Sequence, residues 1–582
     1  MEASTARASR QAAPAGPGAA AIVRALAEAG TRLIFGVPGG GPNLDVVGAA
    51  EEAGLRFVLA RGETAAVIMA ATCGDLTGAP GSVVVTRGPG LASAVNGIAH
   101  AALDRLPVVV IADTVPAADA DRISHQRIDQ PALGRSVAKA AIAVGGPRPA
   151  AAAARIVRLA LSPPPGPVIA NLDASAPAPA DGAGPEGSGP AASPAGASVL
   201  AAALRAARRP VLLLGTGAIP QTAPLRDALA GRGIPALHTY RARGVLPDGG
   251  ADAAGLITGG TMEWPLLSAA DLIIGLGVDE AEMIPAPWDY AARTILVTEP
   301  AASPAPAAAY RGYFTGATAL RMPLAQALEV LAAGPGHDWP PAAGRAVRAD
   351  AAGRLVSAAV AAPGRLAPQQ VVATVRAGTP PETIATVDAG AHMLVAMPLW
   401  EVPEPRRLLV SSGLATMGYA LPAAIAAALC EPRVPVVAFT GDGGLGMTLA
   451  EIETAVRLSL RIVVVVFNDA ALSLIKIKQK PAGQGGDDAV RYRPVSFAAA
   501  ATALGAAGVA VTTERDLATA LAAALGRPGP TVIDASVDPA GYPAIMELSR
   551  GQAGRRSVPG IGRARQVRGP LRFAGQRRRE GA

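Results

Sequence analysis

The sequence predicts an α/β protein made of three doubly wound parallel-sheet domains. Three observations point there. The chain has 582 residues, several times the roughly 150 that one domain holds. Three stretches alternate strand-length β-branched runs with Ala-rich runs of helical length, the pattern of parallel strand–helix–strand units. Between the stretches lie Pro/Gly/Ala/Ser-rich connections. The domains are placed at 15–180, 198–335 and 366–550, followed by a basic tail at 551–582.

In the first stretch the strands are read at Leu33–Val37, Phe57–Ala60, Ser82–Thr86, Val108–Ala112 and Val168–Asn171. The second opens with the apolar run Pro210–Leu214, which ends in Gly215-Thr216-Gly217, and continues at Leu272–Gly275 and Thr294–Val297. A strand followed by a short glycine turn suggests a Rossmann-like layer, although the GxGxxG fingerprint of dinucleotide sites is missing. The third has strands at Thr383–Asp388, Leu408–Ser411, Val434–Thr440, Arg461–Asn468 and Thr531–Ala535, with a helix expected over Gly446–Leu458. The first and third stretches are alike in size and pattern, but no short repeat links them.

The net charge of +7 is a property of the tail, which carries nine Arg and one Glu and leaves the body nearly neutral. A Gly/Arg/Pro segment of that kind reads as a disordered, solvated extension, so no specific nucleic-acid partner is expected. The two cysteines, Cys73 and Cys430, stand far apart without metal-ligand spacing. No disulfide framework is expected, and a reducing cytoplasm fits. No apolar run approaches the ~18 residues that span a bilayer, and residues 1–16 lack the apolar segment of a secretory signal.

The chemistry concentrates where Val436–Thr440 runs into Gly441-Asp442-Gly443-Gly444 and where the next strand ends at Asn468-Asp469. Glycines let backbone N–H groups approach an anion, and the helix that follows favours negative charge at its start. Consecutive strand ends gather on one edge of a parallel sheet, where ligands bind. A carboxylate (Asp442), an amide oxygen (Asn468), a backbone carbonyl (Ala470) and two phosphate oxygens make a hard oxygen shell suited to Mg²⁺. The backbone at Gly39-Gly40-Gly41, with Gly40 at its centre, is a candidate oxyanion donor.

These residues resemble the thiamine diphosphate-dependent enzymes, in the branch containing acetolactate synthase, pyruvate oxidase and benzoylformate decarboxylase. The resemblance covers nearly all of 18–550 and extends to further segments. Arg61-Gly62-Glu63-Thr64-Ala65-Ala66 is similar to the segment that carries the catalytic glutamate, with Gly62 where members often have His. The resemblance implies that Glu63 holds the proton at the pyrimidine N1′ of the cofactor and so activates it. Thr86-Arg87-Gly88-Pro89-Gly90 resembles the family's Gly-Pro-Gly loop; Arg87 there is either a substrate-carboxylate binder or a structural ion-pair partner. Ser411–Gly418 resembles the pyrimidine grip, with the Ala415 carbonyl on the amino group and Met417 between the two rings. Asp388-Ala389-Gly390-Ala391-His392 resembles the diphosphate loop, with Gly390 and His392 as contacts beside Gly443, Gly444 and Ala471.

Ser124-His125-Gln126-Arg127 with Lys139 resembles a substrate-side segment. There Gln126 is a donor to the substrate, and His125 either a proton shuttle or a structural residue. Lys478 stands where biosynthetic acetolactate synthases have a Trp. The turn Gly277–Met283 lacks the Arg of flavin-binding relatives, so FAD is expected to be absent. The resemblance implies thiamine diphosphate and Mg²⁺ as cofactors. It also implies a homodimer or homotetramer in which Glu63 of one chain meets the diphosphate domain of another. The activity it implies is decarboxylation of a 2-oxo acid with carboligation to a second carbonyl. The alternatives are a non-ligating 2-oxo acid decarboxylase and a catalytically silent paralogue.

Overall fold

The computed structural model describes residues 16–116, 119, 121–173, 195–283, 288–300, 313–479 and 486–551. The tail beyond Gly551 and most of the 180–197 connection lie outside them. Within the described residues, three six-stranded sheets, every pairing parallel, bear out the predicted fold class.

The first sheet holds β1 (Leu33–Val37), β2 (Arg56–Leu59), β3 (Gly81–Val85), β4 (Val108–Asp113), β5 (Ala140–Val144) and β6 (Pro167–Leu172). The second holds β7 (Pro210–Leu214), β8 (Ala236–His238), β9 (Ala253–Leu256), β10 (Leu272–Leu276), β11 (Arg293–Thr298) and β12 (Thr318–Arg321). The third holds β13 (Ile384–Val387), β14 (Leu408–Val410), β15 (Val436–Gly441), β16 (Ile462–Asn468), β17 (Ala507–Val511) and β18 (Thr531–Ser536). The first sheet runs β2-β1-β3-β4-β6-β5 and the third runs β14-β13-β15-β16-β18-β17. These are the same order, so the two outer domains are one topology used twice. The central sheet differs, running β12-β11-β10-β7-β8-β9.

The middle strands are continuous apolar runs because helices cover both faces of a parallel sheet. Ile462–Phe467 is buried throughout. The sequence reading missed β5, β8, β9, β12 and β17. Four of these five are sheet edges, where less burial permits Ala-rich segments such as Ala-Gly-Val-Ala-Val that carry little strand preference. The helix expected from Gly446 instead starts at Asp442 and breaks into Asp442–Thr448 and Glu451–Arg457.

The outer domains share a core. Helix Glu63–Thr77 of the first packs on helix Ala420–Cys430 of the third, and both feed one apolar cluster. Both are rich in Ala, which lets them approach closely. No described helix is long and apolar enough to cross a membrane.

His238 lies wholly buried in the central domain, with Nε2 accepting from the Leu246 N–H and Nδ1 facing the Gly255 carbonyl. Burial lowers its pKa from 6.5 to about 4. The folded value lies below the unfolded one, so the stability linked to neutral His238 is full above pH 6.5 and is lost as pH falls toward 4. His238→Gln is therefore expected to flatten the acid-side decline of the urea midpoint across that window.

Candidate functional site

Strand order changes direction between β13 and β15, and ligands of open parallel sheets bind outside the carboxyl ends at such a point. The β13 end delivers Asp388–His392, the β15 end Gly441–Gly444, and the neighbouring β16 end Asn468–Ala471. The register sets Gly441 beside Phe467, so Asp442 and Asn468 leave adjacent strands together. Asp442 opens the helix Asp442–Thr448, and its carboxylate accepts the Gly443 N–H at 2.6 Å and the Ala471 N–H at 3.2 Å. Burial raises its pKa, as for a carboxylate lacking a counter-charge. Ala470 adopts φ 57°, a left-handed conformation uncommon for residues with a Cβ and frequent at functional sites. Its carbonyl accepts the Tyr492 N–H.

Asn468 is oriented by residues the sequence reading did not single out. Its Nδ2 donates to the Val495 carbonyl and to Asp534 Oδ1, both at 2.9 Å. Two acceptors on that side fix which way the amide faces. The amide oxygen accepts no hydrogen bond among the described residues. Asp534 is itself held by the Phe497 N–H at 2.8 Å. Asp534→Asn puts an amide against the Asn468 amide and loosens that orientation. With Asn468 as the expected Mg²⁺ ligand, the variant should weaken metal binding by about 10–100-fold, measured by metal titration with thiamine diphosphate present.

Two cavities, about 450 and 210 Å³, share Asp442 and Gly443. The larger is lined by Asn468 and Ala470, the smaller by Gly390, His392, Ala415, Met417, Gly444 and Ala471. His392 is buried and stacked on Phe467, its Nε2 has no partner among the described residues, and burial lowers its pKa to about 4. It is thus a neutral imidazole with an unspent polar atom at the cavity. Met417 Cε lies 3.3 Å from where a Cβ on Gly443 would stand. Ala415 is exposed with φ 52°. The donor set suits a magnesium-bound diphosphate: hard oxygens, a helix N-terminus, glycines and an orphan imidazole nitrogen.

Asp388 knots this site together. Its carboxylate accepts from the Gly418, Tyr419 and Ala389 N–H groups and from Thr440 Oγ1. Burial raises its pKa to about 6 even so. A Cβ on Gly444 would come within 2.3 Å of this carboxylate, so only glycine fits there.

Gly40, Glu63 and Gln126 sit on the corresponding edge of the first sheet. Gly40 is exposed with nothing crowding it. Glu63 starts its helix half-buried, and the two preceding N–H groups, of Arg61 and Gly62, donate to buried Glu451 of the third domain at 3.0 and 3.1 Å. Gln126 has φ 58° and lines a separate cleft of about 770 Å³ with Arg87. Arg87 pairs with Asp113 at 3.5 Å and donates to the Thr114 carbonyl, the structural ion pair among its two readings. Lys139 is spent on the Leu159, Ser162 and Pro164 carbonyls, a structural tie rather than a substrate contact. Lys478 is exposed just past the helix Ser473–Lys476. Neither Glu63 nor Gln126 lines either Asp442 cavity.

In the central sheet the order changes direction between β7 and β10. That crevice is filled by the chain itself. Buried Glu282 accepts from Thr216 N–H, Thr239 Oγ1 and Asp279 N–H, and Arg105 of the first domain grips Asp279 at 3.0 and 3.1 Å. A carboxylate thus sits on the N–H groups a dinucleotide diphosphate would need. These contacts give the expected absence of FAD a second reason, beside the missing Arg of the Gly277–Met283 turn. Purified protein is expected to show no flavin absorbance, and added FAD no thermal shift.

Comparison with known proteins is extensive. Family models of thiamine pyrophosphate enzymes match in chain order: the N-terminal TPP binding domain at 17–133, the central domain at 197–301 and the C-terminal TPP binding domain at 388–535. A catabolic acetolactate synthase of Raoultella terrigena is 31% identical over 558 residues, covering 91% of this chain and 96% of its own. A 2-hydroxyacyl-CoA lyase of Oryza sativa subsp. japonica is 30% identical, covering 90% of this chain and 95% of its own. A probable 2-ketoarginine decarboxylase of Pseudomonas aeruginosa is 28% identical, covering 78% and 82%.

Proposed function

The chain belongs to the thiamine pyrophosphate enzyme family, and from that premise we propose that it decarboxylates a 2-oxo acid such as pyruvate and ligates the remaining unit to a second carbonyl, giving a 2-hydroxy-3-oxo acid. Bound thiamine diphosphate supplies the carbon nucleophile and the electron sink. Asp442, Asn468 and the Ala470 carbonyl hold Mg²⁺, and the N–H groups at Gly443 and Gly444, with Gly390, His392 and Ala471, face the diphosphate. Ala415 and Met417 seat the pyrimidine, and Glu63 holds the proton at its N1′. Gly40 and Gln126 donate to substrate oxygen.

Supporting a site shared by two chains, exposed apolar side chains rim both half-sites. Met447, Ile475, Tyr492 and Val495 surround the Asp442 cavities, and Leu44, Leu59 and Ile128 lie on the segments that carry Gly40, Glu63 and Gln126. A homodimer, or a homotetramer of such dimers, covers them and excludes water.

The observation that carries ligation over simple decarboxylation is where the five histidines stand. His100 is buried on Asp104, His238 in the central domain, His337 on the Arg232 carbonyl, and His392 at the diphosphate side. Only His125 is exposed near a half-site. No imidazole pair is placed to finish the reaction by proton delivery, which leaves the carbon for a carbonyl acceptor. The test is purified protein with thiamine diphosphate and Mg²⁺ against a panel of 2-oxo acids, with products identified by mass. Ligated products are expected. An aldehyde as sole product selects the non-ligating decarboxylase, and no carbon dioxide from any acid overturns the proposal.

A further inference from the structure

The chain's two cysteines lie 357 positions apart in sequence, yet their sulfurs are 2.7 Å apart and both are free. Cys73 sits near the end of helix Glu63–Thr77, and Cys430 is the last residue of helix Ala420–Cys430. Small residues on both helices permit this approach: Ala66, Ala70, Ala423 and Ala427 belong to the same core as Cys73. The environments differ. Cys73 is buried, whereas Cys430 is half-exposed. Nothing in the proposed chemistry uses either thiol, and among the described residues no third ligand makes the pair a metal site.

We infer that Cys73 and Cys430 form an oxidation site, at which a hydroperoxide converts the dithiol into an intramolecular disulfide joining the first and third domains. The Cys430 thiolate, reached by solvent, attacks the peroxide; the O–O bond breaks and Cys430 becomes a sulfenic acid while hydroxide, or an alkoxide, leaves and takes up a proton. The Cys73 sulfur then attacks that sulfur. The S–S bond forms, the S–O bond breaks, and the departing oxygen takes the Cys73 proton and leaves as water. Two thiols lose two electrons in total, and the hydroperoxide gains them. Burial holds the Cys73 thiol well above its usual range, with Cys430 adding to the effect, which keeps Cys73 protonated and leaves the first attack to Cys430. The bond staples the helix that begins at Glu63 to the helix that follows Met417.

The full chain is treated with hydrogen peroxide, denatured, alkylated with iodoacetamide and mapped by mass. An added methionine-containing peptide reports the oxidant dose through its sulfoxide. The expected result is a linked Cys73–Cys430 peptide pair within one chain, reversed by dithiothreitol. The melting midpoint rises, because the bond closes a 357-residue span in the unfolded chain. In Cys430→Ser, Cys73 stays alkylatable at the same dose. The inference is overturned if both thiols are alkylated once the added peptide is oxidised, if Cys430 runs to sulfinic acid with Cys73 free, or if the link joins two chains. None of these readouts depends on which acid the enzyme acts on.

Discussion

Asp442→Ala is expected to abolish Mg²⁺-dependent binding of thiamine diphosphate while leaving the fold intact. Mutation of the outer partners of metal ligands costs about 10–100-fold in affinity, and Asp442 is itself a proposed ligand, so a loss greater than roughly 100-fold follows. The variant is not expected to unfold. The carboxylate is buried at a cavity edge, its two hydrogen bonds are to N–H groups of Gly443 and Ala471, and burial raises its pKa. Removing it relieves that unfavourable burial and leaves two donors facing a cavity that water can enter. Thermal shift separates the two effects. With ligand at 100 times its dissociation constant, wild type gains about 2.7 kcal/mol and its midpoint rises. Asp442→Ala shows a wild-type midpoint without ligand and no rise with it. A rise equal to wild type removes Asp442 from the site.

The sequence was informative where a function is carried by adjacent residues. Gly441–Gly444 and Asn468 are read from strand ends, and the register that sets Gly441 beside Phe467 follows from consecutive parallel strands. Residues that act through partners far along the chain are silent in sequence. Asp534 matters because Asn468, 66 positions away, leans on it. Glu451 matters because it receives the N–H groups just ahead of Glu63, about 390 positions away. Asp388 was in view at a strand end, but its knot with Gly418, Tyr419 and Thr440 needed the fold. The same holds for Cys73 and Cys430, whose spacing argued for nothing. The repeated outer-domain topology was hidden because order along the chain does not fix order in a sheet, and two of its edge segments, Ala140–Val144 and Ala507–Val511, carry little distinctive sequence.

Glu63→Gln is expected to lower kcat by about 10²–10⁴-fold, the usual weight of a positioned acid or base, with thiamine diphosphate affinity little changed. The substitution keeps size and hydrogen-bonding capacity. The backbone ahead of it stays anchored on Glu451, so the helix start should not move. What is lost, on the role proposed for Glu63, is the proton that its carboxyl exchanges with the pyrimidine ring. The defect should therefore persist at saturating cofactor, which distinguishes it from Asp442→Ala. The two variants together also test whether the site is built from two chains. Glu63 shares no cavity with Asp442 inside one chain. If each site takes Glu63 from one subunit and Asp442 from the other, a mixed dimer of the two variants contains one site with both residues intact and one with neither. Equal amounts, allowed to exchange subunits at random in a two-fold dimer, should recover about a quarter of wild-type activity from two proteins that are each inactive. If each chain completed its own site, no mixing ratio would restore activity. The recovered fraction thus reads the architecture directly.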